Sequence, residues 1–144
     1  MDTCTFFGHR DCSGMLYPAI EQAIRRMVNA GVADFYVGNQ GTFDRMVLRA
    51  LREVAKDIPW VRYAVVLAYF PRRRDPDLKV GETIFPEELE SVPPRFAIEK
   101  RNLWMLEKSD CVITYVEKTY GGAQKFVSLA EKKGKRIVNL ADDA

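Results

Sequence analysis

Three glycine-containing segments of this sequence have the residue types expected around a bound phosphate. They are Gly8-His9-Arg10, GNQGT at 38–42 and EKTYGG at 117–122, and each leads into or towards a predicted helix. A glycine lets the backbone approach a phosphate that a Cβ atom would hold away, and the N-terminus of a helix favours an anion. Turning of the chain is the alternative role for each glycine. We predict a phosphorylated, nucleotide-like ligand, bound by Gly8, His9, Arg10, Gly38, Asn39, Gly41, Thr42, Thr119, Gly121, Gly122 and Gln124.

A helix predicted around 96–108, FAIEKRNLWMLEK, adds two polar residues to this set. At helical spacing, Arg101 and Asn102 lie on or beside the apolar stripe of Ile98, Met105 and Leu106. Polar side chains in that position need partners if they are buried. Two interpretations stay open: Arg101 pairs with a carboxylate and Asn102 with the backbone, or both point into the ligand crevice.

Two further basic features lie near the same predicted edge. His9 is the only histidine, and no carboxylate stands beside it in the sequence, so we expect a structural or ligand-contacting role rather than proton transfer. The run of arginines at 72–74 follows the third predicted strand. It is either a solvated surface or a contact to phosphate or nucleic acid.

The elements that must position these residues are predicted from the apolar pattern. Near-continuous apolar runs at 4–8, 34–38, 61–70, 111–116 and 136–141 indicate strands that are covered on both faces. Amphipathic helical patterns at 15–31, 42–56 and 123–133 separate them, together with the helix around 96–108. We predict an α/β fold with a single Rossmann-like, doubly wound, mainly parallel sheet of about five strands and helices on both faces. Ligands bind at the carboxyl edge of such sheets.

Length and composition restrict the classes of function. The 144 residues, of which 47% are hydrophobic, predict one domain over 1–144, with 71–95 as an irregular insert or lid. A formal net charge of +2 makes nucleic acid an unlikely partner.

Apolar runs are too short for a membrane span and no signal peptide is evident, so we expect a cytoplasmic protein without membrane contact. Three cysteines without CxxC spacing predict no disulfide framework and no metal site, and we expect no cofactor.

The motifs together resemble those of the SLOG superfamily of Rossmann-like domains, which includes the LOG phosphoribohydrolases and the DprA/Smf proteins. The resemblance rests on FFGHR, KRNLWMLEKSD leading into CVITYV, and YGGAQKFVSLAEKKGKRIVNL, and it covers the chain except 71–95. It implies a nucleotide-like ligand above Gly121-Gly122. For LOG enzymes it further implies cleavage of an N-glycosidic bond, with Arg101 matching the family's arginine. Ser128 stands where those enzymes have a glutamate, and Glu117 or Asp44 is a possible substitute.

Three functional hypotheses follow. The first is a module that binds a nucleotide or nucleotide-derived small molecule as a sensor or carrier. The second is an N-glycosidase or phosphoribohydrolase-like enzyme with Arg101 and Glu117 as catalytic residues, because the reaction requires a carboxylate. The third is single-stranded DNA binding, which the DprA resemblance and the arginines at 72–74 suggest. A homodimer that pairs through Leu103, Trp104 and Leu106 is also expected from the resemblance.

Overall fold

A computed structural model describes residues 2–117 and 121–143 of the chain and contains one parallel sheet of six strands. The sheet order is β4-β3-β2-β1-β5-β6, and every neighbouring pair is parallel. The predicted α/β, Rossmann-like fold class is therefore confirmed. The strands are β1 (Asp2–Gly8), β2 (Val32–Val37), β3 (Arg62–Val66), β4 (Thr83–Ile84), β5 (Cys111–Tyr115) and β6 (Arg136–Asn139).

Four helices cover the two faces of the sheet, as the alternation of strand and helix patterns predicts. They are α1 (Tyr17–Asn29), α2 (Gly41–Asp57), α3 (Ala97–Glu107) and α4 (Gly122–Lys132). Helices α1 and α2 bury their apolar stripes in one core with Phe6 of β1, while α3 and α4 form a second core with Phe7. Successive residues of β1 thus point to opposite faces. No helix of residues 2–117 and 121–143 is long and apolar enough to cross a membrane.

The sixth strand, β4, lies inside the segment 71–95, which we predicted to be irregular. It has only two residues, too few for an apolar pattern to predict a strand. The carboxylate of Glu82, 5% exposed, accepts hydrogen bonds from Arg52 at 2.7 Å and Tyr63 at 2.6 Å. These contacts to α2 and β3 hold the segment against the sheet edge and account for the strand that the sequence analysis missed.

Strand β3 ends at Val66, four residues before the predicted end of the apolar run at Phe70. Leu67 and Ala68 stay buried, whereas Tyr69 and Phe70 are 46% and 71% exposed. The last hydrogen bond between this part of the chain and β4 runs from the Leu67 N–H to the Ile84 carbonyl, at 2.9 Å. Since β4 is so short, the residues beyond it have no neighbouring strand and leave the sheet.

Candidate functional site

The winding of the chain reverses between β1 and β5, and a cleft of about 260 Å³ opens at the carboxyl edge beside this point. Ligands of open parallel sheets bind at such a reversal. The β1 exit, the start of α2, one face of α3 and the start of α4 all contribute to the cleft. It is lined by Phe7, Gly8, His9, Arg10, Gln40, Asp44, Ile98, Arg101, Asn102, Gly122, Ala123 and Phe126.

Arg101 lies beneath the cleft as a fully enclosed cation, with 2% of its surface exposed. Its guanidinium donates to the Val66 carbonyl at 3.0 Å, to Asn102 Oδ1 at 2.8 Å, to Asn39 Oδ1 at 3.4 Å and to the Gln40 side-chain oxygen. One side chain thereby ties α3 to the ends of β2 and β3. Burial lowers the pKa of Arg101, and the nearby Asp44 opposes this shift. Arg101 therefore orders the floor of the cleft, and four of its five N–H donors already have partners.

Asp44 is the acidic residue of the cleft and lies in the first turn of α2. Its Oδ2 accepts the Gln40 N–H at 3.0 Å. Burial raises the pKa of Asp44 to about 6, although that hydrogen bond and the two arginines, Arg101 and Arg10, favour the charged form. Arg10 also disfavours the charged form of Arg101. Two guanidinium groups thus lie within electrostatic reach of one another beside a single carboxyl group.

The glycines of the first two exits are explained by the protein's own packing. A Cβ on Gly8 would lie 2.5 Å from the ring of Phe43, and one on Gly38 would lie 2.9 Å from the guanidinium carbon of Arg101. Gly41 has a φ of +86° and its Cβ would lie 2.8 Å from Arg10 Cα. The Thr42 N–H donates to the Arg10 carbonyl at 2.7 Å, which explains this close approach. These positions need glycine without any ligand.

The glycines at the start of α4 differ from those three. Gly121 has a φ of +108°, which favours glycine, and Gly122 is the first helical residue. A Cβ added to either would meet no heavy atom within 4 Å among residues 2–117 and 121–143, chain neighbours aside. Both residues are exposed, and Gly122 lines the cleft. Among the described residues, the space beside Gly121 and Gly122 is therefore open, and Gly122 shares the cleft with His9 and Arg10.

The structure separates the two residues that we predicted to be catalytic. Arg101 lies under the cleft, whereas Glu117 is exposed, lines a different cavity of about 390 Å³ together with Met15, and accepts a hydrogen bond from Tyr115. The Glu117 N–H donates to His9 Nε2 at 2.9 Å. His9 thus ties the β1 exit to the β5 exit, and it also lines the cleft. The pair Arg101–Glu117 does not meet across one space.

The remaining predicted residues lie as follows. Asn39 lines an adjoining cavity, Thr42 is in the first turn of α2, and the amide of Gln124 donates to Ser128 Oγ at 3.3 Å. Thr119 lies outside the described residues. Gln40 was not among the predicted site residues, and Asp44 was predicted only as a substitute carboxylate. Gln40 stands directly before the first turn of α2 and Asp44 lies within it; polar residues at these two positions of a helix that follows a strand are the signal that could have identified both.

The three residues expected to pair two copies of the chain differ in burial: Leu103 and Trp104 are half-buried, and Leu106 is enclosed. Leu106 is completely buried in the core beneath α3. The ring of Trp104 packs edge-on against Tyr36, with ring centres 5.2 Å apart, and its indole N–H donates to Glu88 at 2.7 Å. In the described part of the chain, no group of three or more His, Cys, Asp or Glu side chains could hold a metal ion.

Comparison with known proteins identifies the fold. No protein-family model and no curated protein matches the sequence. The DNA processing protein A (DprA) of Streptococcus pneumoniae has a similar structure, with a TM-score of 0.67 and 15% identity over 95% of this chain. DprA of Helicobacter pylori, described for its unique single-stranded DNA binding mode, has a TM-score of 0.58 and 14% identity over 94% of the chain. The chain spans 49% and 63% of the lengths of those proteins, respectively.

These structures overturn our prediction that nucleic acid is an unlikely partner, because a protein of this fold is described for its binding of single-stranded DNA. That prediction relied on the net charge of the whole chain. Net charge does not tell where basic side chains lie, and the exposed ones here include Arg10 at the cleft and the arginines at 72–74. The resemblance in the sequence is confirmed at the level of the fold: the chain has a Rossmann-like fold similar to that of the two DprA structures.

Proposed function

We propose that the cleft binds a phosphate of a nucleotide and that the ligand is a single strand of nucleic acid. The observation that carries the proposal is the position of Arg10. Arg10 is exposed and lines the cleft together with Gly122 and Ala123 of the first turn of α4. A guanidinium group and free helix N–H groups that face one space form a binding site for an oxyanion.

The electrostatics of the cleft support this role for Arg10. Arg101 holds its neighbours Asn39, Gln40 and Asn102, so it contributes positive charge from below rather than hydrogen bonds to a ligand. A phosphate between Arg10 and the start of α4 would lower the repulsion between the two guanidinium groups. Asp44 opposes such binding when it is charged, and its raised pKa weakens this opposition near pH 6.

A single strand fits the surroundings of the cleft better than a duplex. Proteins that bind single strands combine a positive groove with aromatic side chains on which bases stack. Exposed arginines and aromatic rings follow the exit of β3, beside the cleft. The single-stranded DNA binding mode described for the H. pylori protein adds support from a chain of the same fold.

A free nucleotide or nucleotide-derived small molecule is the second candidate, because part of one nucleotide can enter the cleft. The volume of about 260 Å³ lies below the usual range of roughly 300–1,000 Å³ for ligand pockets. A space of this size suits the phosphate and sugar of one nucleotide. In that case the chain would act as a sensor or carrier, with Arg10 contacting the same phosphate.

The test is the binding of fluorescently labelled oligothymidylate, followed by anisotropy, to the protein and to two variants. Arg10→Ala should weaken binding about tenfold or more, the loss expected for one charged hydrogen bond. Arg26→Ala is the matched control, since Arg26 is exposed in the last turn of α1, outside the cleft, and should leave affinity unchanged. Equal affinity of both variants would contradict the proposal. Competition by thymidine monophosphate at similar concentration would favour the free nucleotide instead.

A further inference from the structure

The segment that follows β3 presents two aromatic rings to solvent in fixed positions. Tyr69 donates from its hydroxyl to the Pro94 carbonyl at 3.4 Å, and the Phe70 ring packs edge-on against Phe85, with ring centres 6.0 Å apart. Yet 71% of Phe70 and 46% of Tyr69 remain exposed. A large exposed aromatic side chain held by its edge leaves its face free for a flat partner.

Three arginines follow these rings directly in the chain. Arg72, Arg73 and Arg74 are exposed, and in the described part of the chain none of them lies within 4.0 Å of a carboxylate oxygen. Asp75 and Asp77 are the acidic residues next along the chain, and Asp75 Oδ1 accepts the Asp77 N–H at 2.9 Å. The segment 69–74, which we call the aromatic–arginine strip, thus has three cations and no acidic residue.

Phe70 forms a wall between two cavities, and an arginine borders each of them. One cavity, of about 340 Å³, is lined by Tyr69, Phe70, Arg73 and Arg74 and reaches Asn39. The other, of about 690 Å³, is lined by Tyr69, Phe70 and Arg72. Asn39 is hydrogen-bonded to Arg101 beneath the cleft, so the strip continues from the cleft along the carboxyl edge of the sheet.

The floor of the strip is fixed by buried contacts. Glu82 accepts from Arg52, Tyr63 and the Lys79 N–H, and Arg52 also donates to the Asp77 carbonyl at 2.7 Å. These bonds hold the pKa of Glu82 down to about 2, with the hydrogen bond from Arg52 as the largest cause. A preformed surface loses little conformational freedom when a ligand binds. These bonds hold residues 77–82 against α2 and β3 next to the strip.

We propose that the aromatic–arginine strip is a second nucleotide subsite, in which a base stacks on Phe70 and Arg72–Arg74 contact the phosphates on either side. This inference rests on the proposed function, because the strand must continue from the phosphate at Arg10. It names the ligand more closely: a single strand of several nucleotides, with unpaired bases and without a required base sequence. Every base has a π-face, so stacking tolerates any sequence.

The experiment compares labelled oligothymidylate with an abasic strand of equal length, on the full chain and on Phe70→Ala. The variant should bind oligothymidylate about 5- to 100-fold more weakly, the range for loss of one base–aromatic stack. Its affinity for the abasic strand should be unchanged, and Phe70→Trp should restore binding. Val80→Ala is the matched control, because Val80 is 86% exposed and lines the same cavity without an aromatic ring.

The outcomes separate failure of the proposed subsite at Phe70 from failure of the proposed function of the cleft. Equal binding of oligothymidylate by Phe70→Ala and the unchanged protein, with binding still weakened by Arg10→Ala, would overturn the subsite and leave the proposed function standing. Equal loss for the oligothymidylate and the abasic strand would also overturn it, since no base would then stack on Phe70. Absence of binding of either strand to the unchanged protein would overturn both proposals.

Discussion

Arg10 and Arg101 lie at the same edge of the sheet and line the same cleft, yet their surroundings give them different roles. Arg101 is 2% exposed and its guanidinium bonds four groups of three different segments. Arg10 is exposed, its carbonyl accepts the Thr42 N–H, and its side chain forms no ion pair with a carboxylate among residues 2–117 and 121–143. The comparison teaches that proximity to a cleft does not make an arginine a ligand-binding residue. Free donors and solvent access decide this.

The largest predicted effect is the loss of protein stability when the hydrogen bonds of the buried Arg101 are removed. Arg101→Met should lower the free energy of unfolding by about 3–5 kcal/mol, because Asn39, Gln40 and the Val66 carbonyl lose their donor inside the protein. Urea denaturation measures this effect. Arg101→Lys keeps the charge but lacks the planar fork, and should recover only part of the stability. An Arg101→Met protein as stable as the original would show that the network does not hold the strand exits together.

Two glycine substitutions compare a position that is tightly packed against Arg101 with a position at the open side of the cleft. Gly38→Ala should cost about 1–3 kcal/mol, because the new methyl group would press on Arg101 and on Asp44 Oδ2, 2.9 and 3.0 Å away. Gly122→Ala should leave the stability unchanged or slightly higher, as it adds a good helix former in open space. Thermal unfolding compares the two variants. Equal destabilisation by both would remove the distinction between the two kinds of glycine.

The smallest effect concerns the carboxyl group between the two arginines. The folded state holds the Asp44 proton more tightly than the unfolded chain, since burial raises its pKa to about 6. The free energy of unfolding should therefore decrease as the pH rises from about 4 to about 6, by about 1 kcal/mol after allowance for solvent at this partly exposed residue.

Asp44→Asn should remove this pH dependence and still accept the Gln40 N–H. Urea denaturation of both proteins over this pH range provides the measurement. The same dependence in the variant would assign it to another group.

Most of the fold was predictable because long apolar patterns carry it. The stripe of α2 and the apolar run of β1 identify their elements within a residue or two of the observed bounds. Strand β4 was not predictable, since its position depends on Glu82 and on Arg52, which lies 30 residues away in the chain. Likewise, the exposure of Phe70 follows from the shortness of β4 rather than from the local sequence.

The location of the cleft could be predicted from the sequence, but the contacts that each of its residues makes could not. Strand exits and glycines indicated the edge of the sheet at which the cleft opens. The groups that fill the space beside Gly8 and Gly38 come from distant positions, namely Phe43 and Arg101, so the sequence could not show which glycines are open. For the same reason, the burial of Arg101 remained one of two alternatives until its partners were known.

The salt dependence of oligothymidylate binding by Arg10→Ala and by the unchanged protein tests the central claim most directly. Each phosphate contact to a single strand contributes about 0.7 to the slope of log affinity against log salt concentration. The account predicts that Arg10→Ala, with unchanged stability, binds more weakly and has a slope smaller by about 0.7. An identical slope and affinity in the folded variant would contradict the claim that Arg10 binds the phosphate.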